Sequence, residues 1–431
     1  MSFQQHNKST SRPLTYITLF SSDCVGCYGF KQANFQCIER EMWEVVEDVD
    51  VVIAAPPCED TSVDNHEETP VEIVRNSPVV EAIKLVLKIK PKVFIFENEK
   101  SIQSAIQENL GKDYSYVSEV INFKDYEDCS RTVVIGVRKD MADDISPYDI
   151  FPRVNLGEAV PAVAFHDVAI QLKEFLEKER LTEKEASDLV IKRNLTSKKE
   201  LIDFIHLNAE KYTLSSLMRL SELANTKRTE NGAYYTNKSI ITEIIKRLPD
   251  TQEKTIHILE PSVGVGGFIP YIARRFASHE VFIDVVDIDS DSLDIFQAML
   301  EYMNLPSNIH VNIICDDFLL HEFSKSYDYV IGNPPFGKVS KQNKDLPLYV
   351  NNAYNKNTKN IFSFFLDKCY TIAETVALVL PKAVLNAPEF TVSRSRLSDG
   401  SIFSILDFGE YGFKGVLVET VCIICSASAN A

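Results

Sequence analysis

Short apolar runs alternate with amphipathic stretches through the first third of the chain. The amphipathic stretch Val79 to Leu87 predicts a helix, and the apolar runs are short enough to be strands. The runs are Tyr16 to Phe20, Val49 to Ala54, Val93 to Phe96 and Thr132 to Val137. This alternation predicts a sheet whose strands are linked by helices over residues 14–163.

The pattern changes between His166 and Glu230, where no strand-like run occurs. Apolar residues recur there at helical spacing, at Leu201, Phe204, Ile205, Leu214, Leu217 and Met218. We therefore predict a helical connector over residues 166–229.

Strand-like runs return after Gly232. They are Thr255 to Leu259, Glu280 to Val286, His310 to Ile314, Tyr327 to Ile331, Ala377 to Leu380, Ile402 to Leu406 and Val418 to Cys425. Helical stretches lie between them at Ile240 to Leu248, Ile269 to Phe276, Asp291 to Met303 and Ile361 to Ile372. The chain is thus predicted to be α/β, with two doubly wound Rossmann-like domains (1–165 and 230–431) joined by the helical segment 166–229.

Composition narrows the class of protein. The 431 residues are 45% hydrophobic and 25% charged, and they contain no apolar run of about 18 residues, the length that a membrane span needs. We expect a cytoplasmic protein with no membrane partner. Nine cysteines without regular spacing are expected to be reduced thiols, and the pairs Cys24/Cys27 and Cys422/Cys425 to be buried rather than to bind a metal.

The second half carries the residues of a nucleotide-type pocket. Glu260 to Phe268 is a turn that follows a strand and precedes a helix, and Gly264 and Gly266 let its backbone approach a ligand closely. Asp287 ends the next strand at the position of a ribose acid, and Asp317 with Phe318 ends the strand after that. Together these residues predict a site for an adenosyl group.

Asn333-Pro334-Pro335-Phe336 follows the fourth strand of this half. The Asn333 side-chain oxygen and the Pro334 carbonyl are both acceptors, and they can converge on one amino group. Hydrogen bonds from an aromatic amine to two acceptors would draw its nitrogen toward tetrahedral geometry and free its lone pair for attack on a methyl group. Phe336 is expected to stack on the base.

These motifs, together with Gly232-Ala233-Tyr234-Tyr235-Thr236, resemble the gamma class of N6-adenine DNA methyltransferases. The resemblance implies S-adenosyl-L-methionine as cofactor and adenine in DNA as substrate. It assigns Tyr235 and Thr236 to cofactor binding, Glu260 and Gly264 to the methionine part, Asp287 to the ribose, Asp317 and Phe318 to the cofactor's adenine ring, and Phe413 to the target base, opposite Phe336.

The first third carries a second set of chemical residues. A strand ends at Pro56-Pro57-Cys58, Glu97 ends the strand at Phe94 to Phe96, and Arg131 begins another strand. A thiolate at Cys58 can add to C6 of cytosine, Glu97 can support N3 and Arg131 can hold O2. In this order the three residues resemble C5-cytosine DNA methyltransferases, although Glu59 and Asp60 beside Cys58 oppose thiolate formation. Cys58 is therefore either a working nucleophile or a remnant in a domain that only packs or binds.

The whole chain resembles the fused modification enzymes of type IIS restriction-modification systems, with DNA and a separate specificity or restriction subunit as expected partners. The formal net charge of −17 requires DNA contacts to be local, and the candidate cations are Lys338, Lys341, Lys344, Arg394 and Arg396. The alternative interpretation of these cations is a solvated lysine loop. The alternative functions are methylation of RNA or of a protein glutamine, and a catalytically silent DNA-binding subunit.

Overall fold

The computed structural model describes residues 12–20, 25–38, 46, 48–56, 78–98, 102–122, 130–141, 161–225, 236–409 and 418–426. The chain divides into two compact units, Met1–Glu179 and Arg180–Ala431. The division falls inside the segment 166–229 that the apolar spacing predicts to be helical.

The first unit contains a six-stranded sheet with the strand order β2-β1-β3-β4-β6-β5. Its strands are β1 (Thr15–Leu19), β2 (Gln36–Cys37), β3 (Val51–Ala54), β4 (Val93–Asn98), β5 (Tyr114–Asn122) and β6 (Ser130–Arg138). Strands β1 to β4 are parallel, whereas β6 runs antiparallel to both β4 and β5. The four strands predicted from apolar runs are all confirmed, and the edge strands β2 and β5 are additional.

Helices cover both faces of this sheet, which explains why its central strands read as continuous apolar runs. The helices are α1 (Val25–Gln32), α2 (Pro78–Ile89), α3 (Gln103–Leu110) and α4 (Pro161–Glu177). Phe30 of α1 and Leu172 of α4 pack on one face, and Val86 of α2 and Ile106 of α3 pack on the other. Helices α1 and α4 approach closely at Gly29, where a Cβ atom would lie 2.6 Å from the backbone nitrogen of His166.

The second unit contains a seven-stranded sheet with the order β12-β13-β11-β10-β7-β8-β9. The strands are β7 (Thr255–Glu260), β8 (Glu280–Asp287), β9 (Ile309–Cys315), β10 (Tyr327–Gly332), β11 (Ala373–Pro381), β12 (Ile402–Gly409) and β13 (Thr420–Ser426). Strand β13 runs antiparallel to both β11 and β12, and the strands from β11 to β9 in this order are parallel to one another. All seven predicted strands are confirmed, and the doubly wound α/β fold is correct.

The helices of the second unit are α5 (Glu183–Arg193), α6 (Lys198–Asn208), α7 (Leu214–Ala224), α8 (Lys238–Lys246), α9 (Ile269–Arg275), α10 (Ser290–Leu300), α11 (Leu346–Asn352), α12 (Ile361–Ile372) and α13 (Thr391–Asp399). One apolar cluster joins α5 to α10 with one face of the sheet, and a second joins α11 to α13 with the other. The helices predicted to connect the domains therefore pack within the units, α4 in the first and α5 to α7 in the second.

The two sheets share one topology. The first sheet reproduces the strand order of the second if β1 is aligned with β7, β3 with β10, β4 with β11 and β6 with β13. The one difference is β9, the outermost parallel strand of the second sheet, which has no counterpart among the described strands of the first. In each sheet the chain reverses its direction of winding beside the first strand, between β1 and β3 and between β7 and β10. Ligands of open α/β sheets bind at the carboxyl ends of the strands at such a reversal point. The Pro56 and Asn333 segments both begin there.

Candidate active site at the carboxyl ends of the second sheet

A cavity of about 750 Å³ opens at the reversal point between β7 and β10. Its lining includes eight residues predicted to form the site, namely Thr236, Glu260, Gly264, Asp287, Asp317, Phe318, Asn333 and Phe336. These residues come from five separate chain segments, and the fold brings them together at one edge of the sheet. A ninth predicted residue, Pro335, also lines the cavity, whereas the buried Pro334 and the predicted Gly266 are not part of the lining.

The glycine-rich turn after β7 has the backbone that its sequence predicts. Gly264 and Gly266 have φ values of +53° and +84°, in the left-handed region that favours glycine. At Gly266 a Cβ atom would also lie 2.3 Å from the Phe296 ring. This glycine is thus required by both backbone conformation and packing.

Asp287 at the end of β8 shapes the turn as well as the cavity. One carboxylate oxygen accepts a hydrogen bond from the Gly264 amide at 2.9 Å, and the other accepts one from the Asp289 amide at 3.0 Å. Burial raises the pKa of Asp287, and hydrogen bonds from the backbone amides of Asp289, Gly264 and Ile288 oppose that shift. A carboxylate has about four lone-pair sites, so Asp287 can also accept a hydrogen bond from a ribose hydroxyl.

Glu260, the last residue of β7, is 2% exposed, and its Oε2 atom has no hydrogen-bond partner in the described part of the chain. Burial, and after it the nearby Asp287, raises the pKa of Glu260 well above its usual value. A buried carboxylate without a partner is costly, and a ligand ammonium group would satisfy it. The residues therefore fit a ligand with a cationic amino-acid end, which S-adenosylmethionine has.

Asp317 and Phe318 lie where the chain leaves β9. Asp317 accepts hydrogen bonds from the Leu319 amide at 2.9 Å and from the Tyr349 hydroxyl at 2.5 Å. Phe318 is 3% exposed and stacks on Phe365, with ring centroids 4.8 Å apart. Most of the Phe318 ring is thus inside the core, and the residue also contributes to the cavity lining.

Asn333 is held against the glycine-rich turn, because its backbone carbonyl accepts a hydrogen bond from the Ser262 hydroxyl at 2.9 Å. Asn333 is one of the residues that line the cavity. Phe336 is half-buried and meets Phe362 edge to face, with ring centroids 6.5 Å apart. Gly337 follows with a φ of +118° and turns the chain away from the sheet.

Three predicted site residues, Tyr235, Cys58 and Phe413, lie outside the described residues. Their neighbour Thr236 is described, is 6% exposed and faces the cavity. Arg131 is described only as backbone within β6.

Sequence reasoning missed the wall that α7 contributes. Ser221 and Glu222 of this helix and Asn225 at its end line the cavity. The apolar spacing indicates a helix here but carries no signal for the cavity that the helix faces. Tyr349 of α11 was also missed.

The five candidate DNA-facing cations fall into two groups. Lys338, Lys341 and Lys344 are exposed. Arg396 is 9% exposed, lies 3.7 Å from the Asp367 carboxylate and stacks over two tyrosine rings. Arg394 donates hydrogen bonds to the backbone carbonyls of Val384 and Ala387. The DNA-facing interpretation of the two arginines was wrong, because both hold the fold together.

The first unit brings Glu97 and the backbone of Arg131 to the same end of two neighbouring strands, β4 and β6. Glu97 lies near the carboxyl end of β4, and Arg131 lies near the start of the antiparallel β6, one residue beyond the Asn98–Thr132 backbone pair. The buried Asn98 amide donates a hydrogen bond to the Pro56 carbonyl at 3.3 Å, two residues before Cys58. Asn98 therefore holds Pro56 at the end of β4.

The cysteines depart from expectation at one position. Cys422 and Cys425 are buried free thiols, whose pKa values burial raises. Cys27 is disulfide-bonded, and the expectation of a reduced thiol there was wrong. Within the described ranges, no group of three His, Cys, Asp or Glu residues could hold a metal ion. No helix of the described parts is long and apolar enough to cross a bilayer.

Two family models match the chain. The model for C-5 cytosine-specific DNA methylase matches residues 28–282, more than half of the chain, and the model for N-6 DNA Methylase matches residues 217–426. The chain belongs to the C-5 cytosine-specific DNA methylase family, and its second half is similar to the N-6 DNA Methylase family. The two matches overlap on β7 and its glycine-rich turn, and β7 corresponds to β1 of the first sheet in the shared topology.

The methylase is similar to type II methyltransferases over part of their length. It is 28% identical over 270 residues to M.VspI of Vibrio sp. (strain 343), which covers 61% of this chain and 63% of the relative. It is 27% identical over 207 residues to M.CvrRI of Paramecium bursaria Chlorella virus XZ-6E, covering 47% of this chain and 50% of the relative. The chain thus spans between half and two thirds of these relatives.

Among solved structures, the methylase is similar to the type I restriction-modification system methyltransferase subunit of Streptococcus thermophilus. The TM-score is 0.38 at 13% sequence identity, and the match covers 62% of this chain and 70% of that chain.

Proposed function

We propose that the methylase transfers a methyl group from S-adenosyl-L-methionine to the N6 amino group of adenine in DNA, as part of a restriction-modification system. The observation that carries this proposal is the cavity at the β7–β10 reversal point. Asn333, with an amide acceptor suited to an aromatic amine, lies there together with carboxylates suited to a cationic nucleoside.

Each residue has a stated task in this proposal. Glu260 binds the ammonium group of the cofactor, Asp287 its ribose hydroxyls and Asp317 its adenine amino group. Thr236 and Tyr235 complete the pocket for the methionine end, and Gly264 and Gly266 let the backbone come close to the ligand. When bound, S-adenosylmethionine supplies a methyl group activated by a positive sulfur.

The target amine depends on the Asn333 segment. The Asn333 side-chain oxygen and the Pro334 carbonyl accept hydrogen bonds from the amine, which makes its lone pair available, and Phe336 and Phe413 enclose the base. No acid–base pair with matched pKa values is needed, because the amine proton becomes acidic once the nitrogen is methylated and can pass to solvent.

Exposed lysines beside the cavity support a polyanionic substrate. Lys338, Lys341, Lys344, Lys356 and Lys359 all lie between β10 and α12 and are exposed. A hydrogen bond from the Val339 amide to the Lys359 carbonyl at 2.9 Å joins the two arms of this segment. The five lysines form a local basic rim in an acidic chain, as DNA binding requires.

Neutralising this rim is expected to weaken DNA binding in a salt-dependent way. The triple variant Lys341→Gln, Lys344→Gln, Lys359→Gln should lower the slope of log affinity against log salt by about 2 to 3, because each phosphate contact releases about one counterion. Fluorescence anisotropy with a duplex oligonucleotide at several salt concentrations measures the slope. The matched control is Lys184→Gln, Lys192→Gln, Lys199→Gln, three exposed lysines of α5 and α6 with the same charge change. Equal slopes for the two triple variants would contradict the rim assignment.

The proposed function is tested by long-read sequencing of DNA from cells that express the chain, which reports base, strand and sequence context together. N6-methyladenine in one sequence context supports the proposal. A panel of duplex DNA, RNA and glutamine-containing protein with labelled cofactor tests the alternatives, and labelling of RNA but not of duplex DNA would overturn the DNA assignment. No labelling of any substrate, with DNA binding retained, would favour a silent subunit. A separate specificity or restriction subunit is the partner class that we propose, and co-purification from the native host tests it.

A second activity, C5 methylation of cytosine, is favoured by the placement of Glu97, Arg131 and the Pro56 carbonyl at one sheet edge. In this proposal Cys58 adds to C6 of the cytosine, Glu97 supports N3 and Arg131 holds O2.

Cys58→Ser is expected to abolish cytosine methylation and to leave adenine methylation unchanged, because a serine hydroxyl is a far weaker nucleophile than a thiolate. Asn98→Ala should lower the cytosine rate by about tenfold through loss of the hydrogen bond to Pro56. Bisulfite sequencing of host DNA measures both effects. If the intact chain leaves no methylcytosine, the first unit has no such activity and Cys58 is a remnant.

A further inference from the structure

Tyr349 of α11 contacts a carboxylate in the cofactor pocket although no motif includes it. Its hydroxyl donates a hydrogen bond to Asp317 at 2.5 Å, and both residues line the cavity. The tyrosine is 7% exposed, and its ring packs against Phe364, with centroids 6.1 Å apart. The hydroxyl therefore approaches Asp317 from a fixed position.

The Tyr349 bond completes the immobilisation of Asp317. The Leu319 amide holds Oδ1 at 2.9 Å, and Tyr349 holds Oδ2. With a donor on each oxygen, the plane of the carboxylate is set, and its remaining lone pairs point in defined directions. Burial raises the pKa of Tyr349, and the bond to Asp317 raises it further, so the hydroxyl stays protonated and remains a donor.

A carboxylate accepts hydrogen bonds but donates none, so it distinguishes a base that carries an amino group from one that carries a carbonyl. Asp317 can therefore select adenine over hypoxanthine in a bound nucleoside, provided that its acceptor atoms do not rotate away. Discrimination of this kind depends on preorganised polar groups.

We propose that Tyr349 is a positioning residue that fixes Asp317 as the reader of the exocyclic amino group on the cofactor's base. The inference rests on the proposed function, because it takes the cavity to be the S-adenosylmethionine site. It adds a determinant of cofactor specificity that acts through Asp317 and does not itself touch the methyl group or the target base.

The test compares two product-like ligands by calorimetry on the full chain. S-adenosylhomocysteine has the amino group, and S-inosylhomocysteine has a carbonyl in its place. The wild type should bind the adenosyl ligand about tenfold more tightly. Tyr349→Phe should weaken adenosyl binding about fivefold and leave inosyl binding within about twofold, so that the ratio falls to about two. Asp317→Asn should also lower the ratio of adenosyl to inosyl affinity. The turnover number of Tyr349→Phe at saturating cofactor should stay within about twofold of the wild type, because the effect of the variant is on cofactor binding.

Tyr329→Phe is the matched control, because the Tyr329 hydroxyl is bonded to the Pro249 carbonyl at 3.0 Å and the residue does not line the cavity. This variant should keep the wild-type ratio. A wild-type ratio in Tyr349→Phe, or equal binding of the two ligands by the wild type, overturns the inference. A wild type that binds neither ligand overturns the proposed function and this inference with it.

Discussion

Asn333→Ala is expected to lower the turnover number for adenine methylation by about 10³-fold, the effect of removing one preorganised polar group that acts in the transition state. The variant leaves the target amine with one acceptor, the Pro334 carbonyl, so its lone pair remains delocalised into the ring. Cofactor affinity should stay within about twofold, because Glu260, Asp287 and Asp317 are untouched. Single-turnover kinetics with a methylatable duplex and calorimetry with S-adenosylhomocysteine separate the two effects.

Asn351→Ala is the matched control for this experiment. Asn351 is an exposed asparagine of α11 in the same unit, so the variant reports the cost of an asparagine-to-alanine change away from the cavity. Removal of a polar group that acts in the transition state costs far more than about tenfold in turnover. If Asn333→Ala kept more than about a tenth of the wild-type turnover number, the acceptor role of Asn333 would therefore be wrong. A parallel loss of cofactor affinity would instead indicate that Asn333 supports the cavity wall.

The apolar pattern predicts most of the fold because the parallel strands are buried on both faces. The four residues of β3 are all buried, as are Ile258 and Leu259 of β7, so both strands contain an apolar run. Strand β5 escaped prediction because it lies at the sheet edge and mixes Ser115, Ser118 and Glu119 with apolar residues. Local sequence marks a strand best where the sheet is covered by helices.

The candidate site was predictable wherever one chain segment carries the chemistry. The glycine-rich turn, the acid that ends β8, the acid that follows β9 and the Asn333 segment are each continuous motifs at strand ends, and the fold brings them to one cavity. The contacts of Tyr349 and Asn98 were not predictable, because their partners are distant in sequence. Tyr349 bonds to Asp317, 32 positions away, and Asn98 bonds to Pro56, 42 positions away. Arg396 was misjudged for the same reason. Its buried partner Asp367 lies 29 positions away, and the local sequence around Arg396 resembles a solvated helix.

Gly266→Ala should strongly destabilise the second unit. A left-handed φ costs a residue with a Cβ atom about 1 to 2 kcal/mol, and the new methyl group would overlap Phe296 and come within 3.1 Å of Met303, adding about 1 to 3 kcal/mol. A total near 3 kcal/mol corresponds to a fall of about 6 to 12 °C in the melting temperature of that unit. The turn would have to shift to relieve the overlap, so affinity for S-adenosylhomocysteine should fall by about 100-fold.

Two neighbouring glycines separate the causes of this loss. Gly264 has a φ of +53°, but a Cβ atom added there would meet no other atom within 4 Å, so Gly264→Ala reports backbone strain alone, about 1 to 2 kcal/mol. At Gly267 φ is not in the left-handed region, and the nearest atom, in Ile241, would lie 3.7 Å away, so Gly267→Ala should change stability by less than about 0.5 kcal/mol. Differential scanning calorimetry of the three full-length variants gives the order of melting temperatures. If Gly266→Ala melted no lower than Gly264→Ala, contact with Phe296 would not be what requires glycine at position 266, and the turn would be free to move away from α10.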